Sequence, residues 1–193
     1  MVKSKLGLLT GIVTAMIVID ALWTVGVVSL ATFAPVLFQL YIFPSARAVD
    51  LAQLCFKLAT AVVFCWWLYV AGRNLVEAGI DDLEFSPASR IWWFFVPFAC
   101  LVKPYEGMRE LWNASRGNWT DGGQTTLVAT WWGLWLLKGL IAWIRGAAGH
   151  SALWLWFESA TDIAAAIAAI LVLQGIAKAQ MQHWGPALGE VFA

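Results

Sequence analysis

Four ionisable residues lie inside long apolar stretches of this chain, where a charge is costly and therefore informative. They are Asp20, Lys57, Lys138 and Asp162. An uncompensated charge near the centre of a membrane helix costs about 2.5 to 3.5 kcal/mol on insertion scales. Two acids and two bases on four separate stretches can neutralise one another if those stretches form one bundle. We therefore expect one neutralising polar cluster, with Glu158 beyond it near the edge of the bundle.

Such a cluster has two interpretations. In the first, the ion pairs only specify helix register, or the lysines extend toward the headgroups without touching the acids. In the second, Asp20 and Asp162 line a path for protons or cations. The sequence carries no repeated pore motif and no inverted repeat of the transporter type. Both interpretations stay open.

The elements that must position these charges follow from hydropathy. With 61% hydrophobic residues, 12% charged residues and a mean hydropathy of +0.74, the chain has the composition of an integral membrane protein. We expect a single polytopic all-α membrane domain over residues 1–193. Its four transmembrane helices are predicted over residues 6–30, 49–71, 125–144 and 151–175, and the last helix is predicted to continue to His183.

Prolines mark the segments that do not fit a simple span. Pro35 ends the first span, so residues 34–43 are predicted to lie at the interface. The alternative is two short spans back to back. The aromatic run 91–102 is too short to cross a hydrocarbon core of about 30 Å. Because Pro97 lies inside this run and Pro104 just beyond it, we predict a bent or re-entrant segment.

An amphipathic helix is predicted after Pro104. Tyr105, Met108 and Trp112 fall on one helical face together with Leu111. We expect this helix to lie in the membrane interface, with Trp112 as an anchor. Arg73, at the predicted end of the second span, is expected to anchor that helix at the headgroups or at its last carbonyls.

Tryptophan is abundant, with 14 residues, and several lie near predicted span ends. Indole rings favour the boundary between headgroups and hydrocarbon, so an aromatic belt is the expected explanation. The residues concerned are Trp66, Trp67, Trp131, Trp132, Trp143, Trp154 and Trp156. A cofactor site is the weaker interpretation, because no histidine lies within a span as an axial ligand.

Four segments resemble a known bacterial membrane family. They are WLYVAGRNL (67–75), FSPASRIWWFFVPFACLVKP (85–104), YEGMRELWNAS (105–115) and WWGLW (131–135). In order and spacing they are similar to the family catalogued as domain of unknown function 4328 (DUF4328). The resemblance covers the middle of the chain. It implies a multi-spanning architecture and carries no activity.

Basic residues indicate the orientation. Lys3, Lys5, Arg73, Arg90, Lys103, Arg109, Arg116 and Lys178 fall on one predicted side, and Arg47 and Arg145 on the other. The positive-inside rule then places both termini in the cytoplasm. We expect a multi-pass protein of the bacterial inner membrane.

No catalytic motif suggests an enzyme. The sequence contains no GxSxG, HExxH, P-loop or GxGxxG pattern, and we expect no cofactor and no metal. Its formal net charge of +0 and scattered basic residues do not favour nucleic acid as a partner. The expected partners are the lipid bilayer and either other membrane proteins or further copies of the chain. The favoured function is an accessory or scaffold subunit of a membrane assembly. The alternative is a small oligomeric ion or solute permeation protein that uses the span charges and residues 91–102.

Overall fold

The computed structural model describes residues 2–80, 82–117, 125–148 and 152–183. Every regular element in these ranges is helical. The α-helices are α1 (Val2–Phe33), α2 (Pro35–Leu37), α3 (Ala46–Glu77), α4 (Ser89–Trp92), α5 (Lys103–Ser115), α6 (Thr126–Ala148) and α7 (Ala152–His183). A π-helix (Phe38–Ile42) and two 3-10 helices (Phe43–Ser45 and Ala99–Leu101) complete the order.

Four helical stretches are long and apolar enough to cross a membrane. They are Lys5–Phe33, Pro35–Glu77, Thr126–Gly146 and Leu153–Gln182. This number agrees with the four spans expected from hydropathy.

The first two long helices form an antiparallel hairpin. Near the start of α1, Thr10 is hydrogen-bonded to Trp67 in the second half of α3. Further along α1, Thr24 is hydrogen-bonded to Gln53 near the start of α3. The chain turns through α2 and the π- and 3-10 helices, after a break at Ala34 (φ −136°, ψ 59°). The break falls immediately before a proline because the residue preceding proline is pushed out of the α region.

The helix ends extend beyond the predicted limits. The second span was expected to end at residue 71, yet α3 continues to Glu77. Gly72 is not a terminator; its missing side chain gives room to Arg90, whose Nε would lie 3.3 Å from a Cβ at this position. The chain leaves the helix at Gly79, whose φ of 82° suits glycine.

The long helices pack in the order α3, α1, α7, α6, so that α3 and α6 form the two sides of an open ring. Aromatic side chains from both helices fill the space between α3 and α6 at one depth in the bundle. Phe64 of α3 lies 6.4 Å from Trp131 of α6 and 6.2 Å from Phe94, which itself lies 6.2 Å from Trp132. We call these four residues the aromatic layer.

The structure corrects part of the expected aromatic belt, because three of the seven tryptophans are buried while Trp66 and Trp143 are exposed. Trp67, Trp131 and Trp132 are buried in the protein core and do not form a belt facing lipid. Trp67 donates its indole N–H to Thr10 Oγ1 over 2.8 Å, and Trp132 donates to the carbonyl of Leu101 over 2.9 Å. A buried indole needs such an acceptor, which explains the position of Thr10 in an apolar helix.

Between α3 and α6 in the chain, residues 78–80 and 82–117 form a structure that we call the collar. Residues 91–102 are not one helix: α4 ends at Trp92, and a 3-10 turn follows Phe98, whose φ is 60°. Pro97 precedes this left-handed residue, and Pro104 lies in the first turn of α5. Residues 91–102 are therefore irregular rather than one straight helix.

Helix α5 lies against the other helices of the bundle. It packs on α7, α6 and α3, and Met108, Leu111 and Trp112 are buried there. The apolar face predicted from the sequence is therefore covered by protein. This corrects the expectation that Trp112 is an anchor in the lipid interface.

Candidate functional site

The four span charges form ion pairs between adjacent helices. Lys57 Nζ lies 3.8 Å from Asp20 Oδ2, which links α3 to α1, and Lys138 Nζ lies 2.7 Å from Asp162 Oδ1, which links α6 to α7. The four residues thus meet two by two, because each lysine reaches the acid on the helix directly beside its own. Glu158 pairs with Arg145 Nε at 2.8 Å, further from the collar.

Polar neighbours surround the first of these pairs. Gln53 Nε2 donates to Thr24 Oγ1 over 3.1 Å, and Thr24 Oγ1 donates to the carbonyl of Asp20 over 3.1 Å. Asp20 Oδ1 is buried and accepts no hydrogen bond from any residue that the structure describes. The carboxylate therefore keeps one oxygen for a further donor.

The collar is centred on Arg90, whose side chain is only 1% exposed. Its guanidinium lies between Gly72 of α3 and Gly107 of α5. Nη1 donates to the carbonyl of Gly107, and Nη2 donates to Glu110 Oε2 over 2.7 Å. Burial lowers the pKa of Arg90, and the neighbouring Glu110 opposes that change. A buried cation needs such partners, so this pair fixes α4 against α5.

Glu110 also fixes the loop that precedes α4. Its two carboxylate oxygens accept the backbone N–H groups of Glu84 and of Phe85, the latter over 3.2 Å. Lys103 adds ion pairs to Glu84 at 3.6 Å and to Glu106 at 2.7 Å. The Glu106 carboxylate is the main cause of the raised pKa of Lys103. One carboxylate thus organises both the loop and the short helix α4.

A second polar network joins three helices. Gln180 of α7 donates through Nε2 to the carbonyl of Ala71 and to Ser115 Oγ, each over 3.0 Å. Its Oε1 accepts from Asn74 Nδ2 over 3.1 Å. Because these groups belong to α3, α5 and α7, one side chain connects the collar to the ends of two spans.

Trp112 seals the contact between α5 and α7. A Cβ at Gly175 would lie 2.7 Å from Trp112 Cζ3, so only glycine allows this approach. Arg116 covers the same indole, with Cζ 3.3 Å from the ring centroid, and burial lowers its pKa. The glycine and the ring together set the distance between the two helices.

The opposite face of α5 remains open. A groove of about 170 Å³ is lined by Glu84, Phe85, Glu106, Arg109, Glu110, Asn113 and Ala114. Arg109 is exposed and lies over the ring of Tyr105 at 5.6 Å. Within the described residues, no group of three or more histidine, cysteine or acidic side chains is arranged to hold a metal ion.

Sequence reasoning found the span charges but missed the collar. Arg73, expected as an anchor, is 62% exposed and bonds Glu77 one helical turn away over 2.7 Å. The pairing of Arg90 with Glu110 has no sequence signal, since the two residues belong to separate short elements. The only sequence clue that Arg90 is buried was indirect: Gly72 and Gly107 lack the side chains that would occupy its space.

The segments that carried the family resemblance meet at this end of the bundle. They contribute Trp67 and Gly72 from α3, Arg90 from α4, Glu110 from α5 and Trp131 from α6. No curated protein and no solved structure matches the chain. The family model described as "Domain of unknown function (DUF4328)" matches residues 45–180, which include α3, α4, α5, α6 and most of α7. The chain therefore belongs to the DUF4328 family.

Proposed function

We propose that this protein is a non-enzymatic accessory or scaffold subunit of a membrane assembly in the bacterial inner membrane, with both termini in the cytoplasm. The observation that carries the proposal is the way α5 is held. Its inner face is fixed by Glu110, Ser115 and Trp112, whose partners lie on α4, α7 and the connecting loop. Its outer face presents Arg109 and an open groove. A rigid helix with an exposed polar face suits the docking of a second protein.

Basic residues of the collar and of the adjoining end of α3 support a cytoplasmic position for this end of the bundle. Arg73 and Arg109 are exposed at this end, and Lys103 is partly exposed. An excess of lysine and arginine favours the cytoplasmic side of a bilayer. A cysteine-accessibility experiment tests this orientation: a cysteine at Arg109 should be labelled by an impermeant maleimide only after the membrane is opened.

Extraction in mild detergent tests the accessory role. Native-gel sizing and mass spectrometry should find the chain with other proteins at fixed stoichiometry. Arg109→Glu should release those proteins, whereas Lys178→Glu, at an exposed position of α7, should not. A lone or purely homo-oligomeric particle would contradict the proposal.

Permeation is the second candidate, and one observation favours it. Lys57 and Lys138 are partly exposed although they belong to spans, and Asp20 keeps an oxygen without a hydrogen-bond donor. Against a path through residues 91–102, the aromatic layer fills the space between α3 and α6 beside them. Liposome flux measurements separate the two functions: Asp20→Asn and Asp162→Asn should abolish flux without loss of assembly if the protein conducts ions.

A further inference from the structure

Phe64 and Trp131 show how α3 and α6 face one another. Their rings lie 6.4 Å apart across the gap between the two helices. The helices run in opposite directions, because the end of α3 lies beside the end of α7 through Asn74 and Gln180, and α6 is antiparallel to α7. A residue nearer the start of α3 therefore lies at the same depth as a residue nearer the end of α6.

Helical periodicity extends this match away from the collar. Seven residues make two turns less about 20°, with a rise of about 10 Å. Lys57 lies seven residues before Phe64, and Lys138 lies seven residues after Trp131. The two lysines therefore lie on facing sides of α3 and α6 at the same depth. Seven residues before Lys57 is Asp50, and seven residues after Lys138 is Arg145, so these two residues also lie opposite one another.

These positions define a groove between the two helices. We call the gap between them the α3–α6 groove; by helical register, Asp50, Lys57 and Phe64 lie on its α3 side, and Trp131, Lys138 and Arg145 on its α6 side. The side chains of Lys57 and Lys138 are 39% and 36% exposed. Exposed ammonium groups between two spans are not explained by internal pairing alone. Each ammonium has three N–H donors, so a single acid leaves donors for another acceptor.

The groove is ordered by charge along its length. Asp50, at the mouth, is exposed and forms no ion pair with any described residue, and Arg145 beside it is paired with Glu158. The lysine level comes next and is neutral, since each lysine has one aspartate. The rings of Phe64 and Trp131 form the bottom. From mouth to bottom the groove is therefore acidic, then rich in ammonium donors, then aromatic.

We propose that the α3–α6 groove binds the headgroup of a bilayer phospholipid that carries a primary ammonium beside its phosphate. In such a lipid the ammonium lies outermost, the phosphate next and the acyl chains last, which is the order that complements the groove. Asp50 receives the ammonium, the two lysines donate to the phosphate, and the rings contact the beginning of the chains. Each lysine is already neutralised by one aspartate, so this part of the groove has no net positive charge. A zwitterionic headgroup is therefore favoured over a purely anionic one. The proposal rests on the proposed membrane position and is independent of the accessory role.

Native mass spectrometry of the detergent-purified full chain tests the site. Phosphatidylethanolamine and phosphatidylcholine share the phosphate, but the choline nitrogen has no N–H to donate. The wild-type chain should retain one phosphatidylethanolamine at least tenfold more tightly than phosphatidylcholine or phosphatidylglycerol. Lys57→Met and Lys138→Met should each weaken retention about tenfold, and Lys178→Met, at an exposed position outside the groove, should not.

Several results would overturn the proposal. Equal retention of the three lipids by the wild-type chain would do so, as would unchanged retention in folded lysine variants. Should the lysine variants not fold, Asp50→Asn, at an exposed position, must still reduce the preference for ethanolamine over choline. Displacement by free phosphoethanolamine at equal concentration would assign the groove to a soluble ligand. Alkaline carbonate extraction tests the membrane position separately, since release of the chain would reject that position whatever the lipid result.

Discussion

Arg90 Nη2 donates to Glu110 Oε2 over 2.7 Å from a side chain that is 1% exposed. The pair is therefore a connection inside the protein rather than a surface ion pair. It lies between two glycines, and the same carboxylate accepts two backbone N–H groups. The position of α5 depends on it.

Glu110→Gln should destabilise the collar by about 3 kcal/mol, because it leaves a buried guanidinium without its counter-charge. The melting temperature in detergent measures the effect. Glu77→Gln is the matched control: its partner Arg73 is 62% exposed, so this pair should contribute no more than about 0.5 kcal/mol. Equal effects of the two substitutions would show that the buried pair does not hold the collar.

Gly175→Ala should lower stability by about 1 to 2 kcal/mol. A new Cβ would lie 2.7 Å from Trp112 Cζ3, and overpacking of a core outweighs the gain in helix propensity. At Gly139 in α6, apart from its two chain neighbours and the adjacent backbone of its own helix, no atom of the described residues lies within 4 Å of the new Cβ, so Gly139→Ala should be neutral or stabilising. The melting temperature should fall for Gly175→Ala and should stay unchanged or rise for Gly139→Ala. If both rise, α7 can shift away from the indole at no cost.

Gln180→Leu should cost about 2 to 4 kcal/mol, since it removes the acceptor of Asn74 Nδ2 and the N–H donor to Ser115 Oγ and to the Ala71 carbonyl near the core. Gln182→Leu, two residues on and exposed, should change stability little. Limited proteolysis of the collar provides the readout, with faster cleavage expected only in the first variant. Identical cleavage would mean that the network does not tie the collar to the spans.

Lys103 should contribute to stability in a pH-dependent way. Its pKa is raised by Glu106 above the ordinary value of 10.5, so its charge stabilises the folded chain at lower pH. That contribution is complete below pH 10.5 and is lost as the pH rises through the folded-state pKa. The difference in melting temperature between wild type and Lys103→Met should therefore be constant from neutral pH to pH 9 and shrink above 10.5. A difference that grows with alkaline pH would contradict this role.

Hydropathy and proline positions predicted the four long helices, the break before Pro35 and the bend near Pro97, because these follow from local chemistry. The sequence predicted one cluster of the four span charges, whereas they form the two pairs Asp20–Lys57 and Lys138–Asp162. The pairing depends on which helices are adjacent, which one sequence does not specify. The collar was missed for a related reason. Arg90 and Arg73 look alike in the sequence, and only the space left by Gly72 and Gly107 makes one of them the centre of a core.

Photo-crosslinking in intact membranes tests most directly whether the outer face of α5 binds a second protein. A photoreactive residue would replace Arg109, on the exposed face, and in a matched chain Phe157, at an exposed apolar position of α7. The account predicts one abundant adduct with a different protein from position 109 and none from position 157. Adducts with the chain itself alone, or none from position 109, would contradict the accessory role.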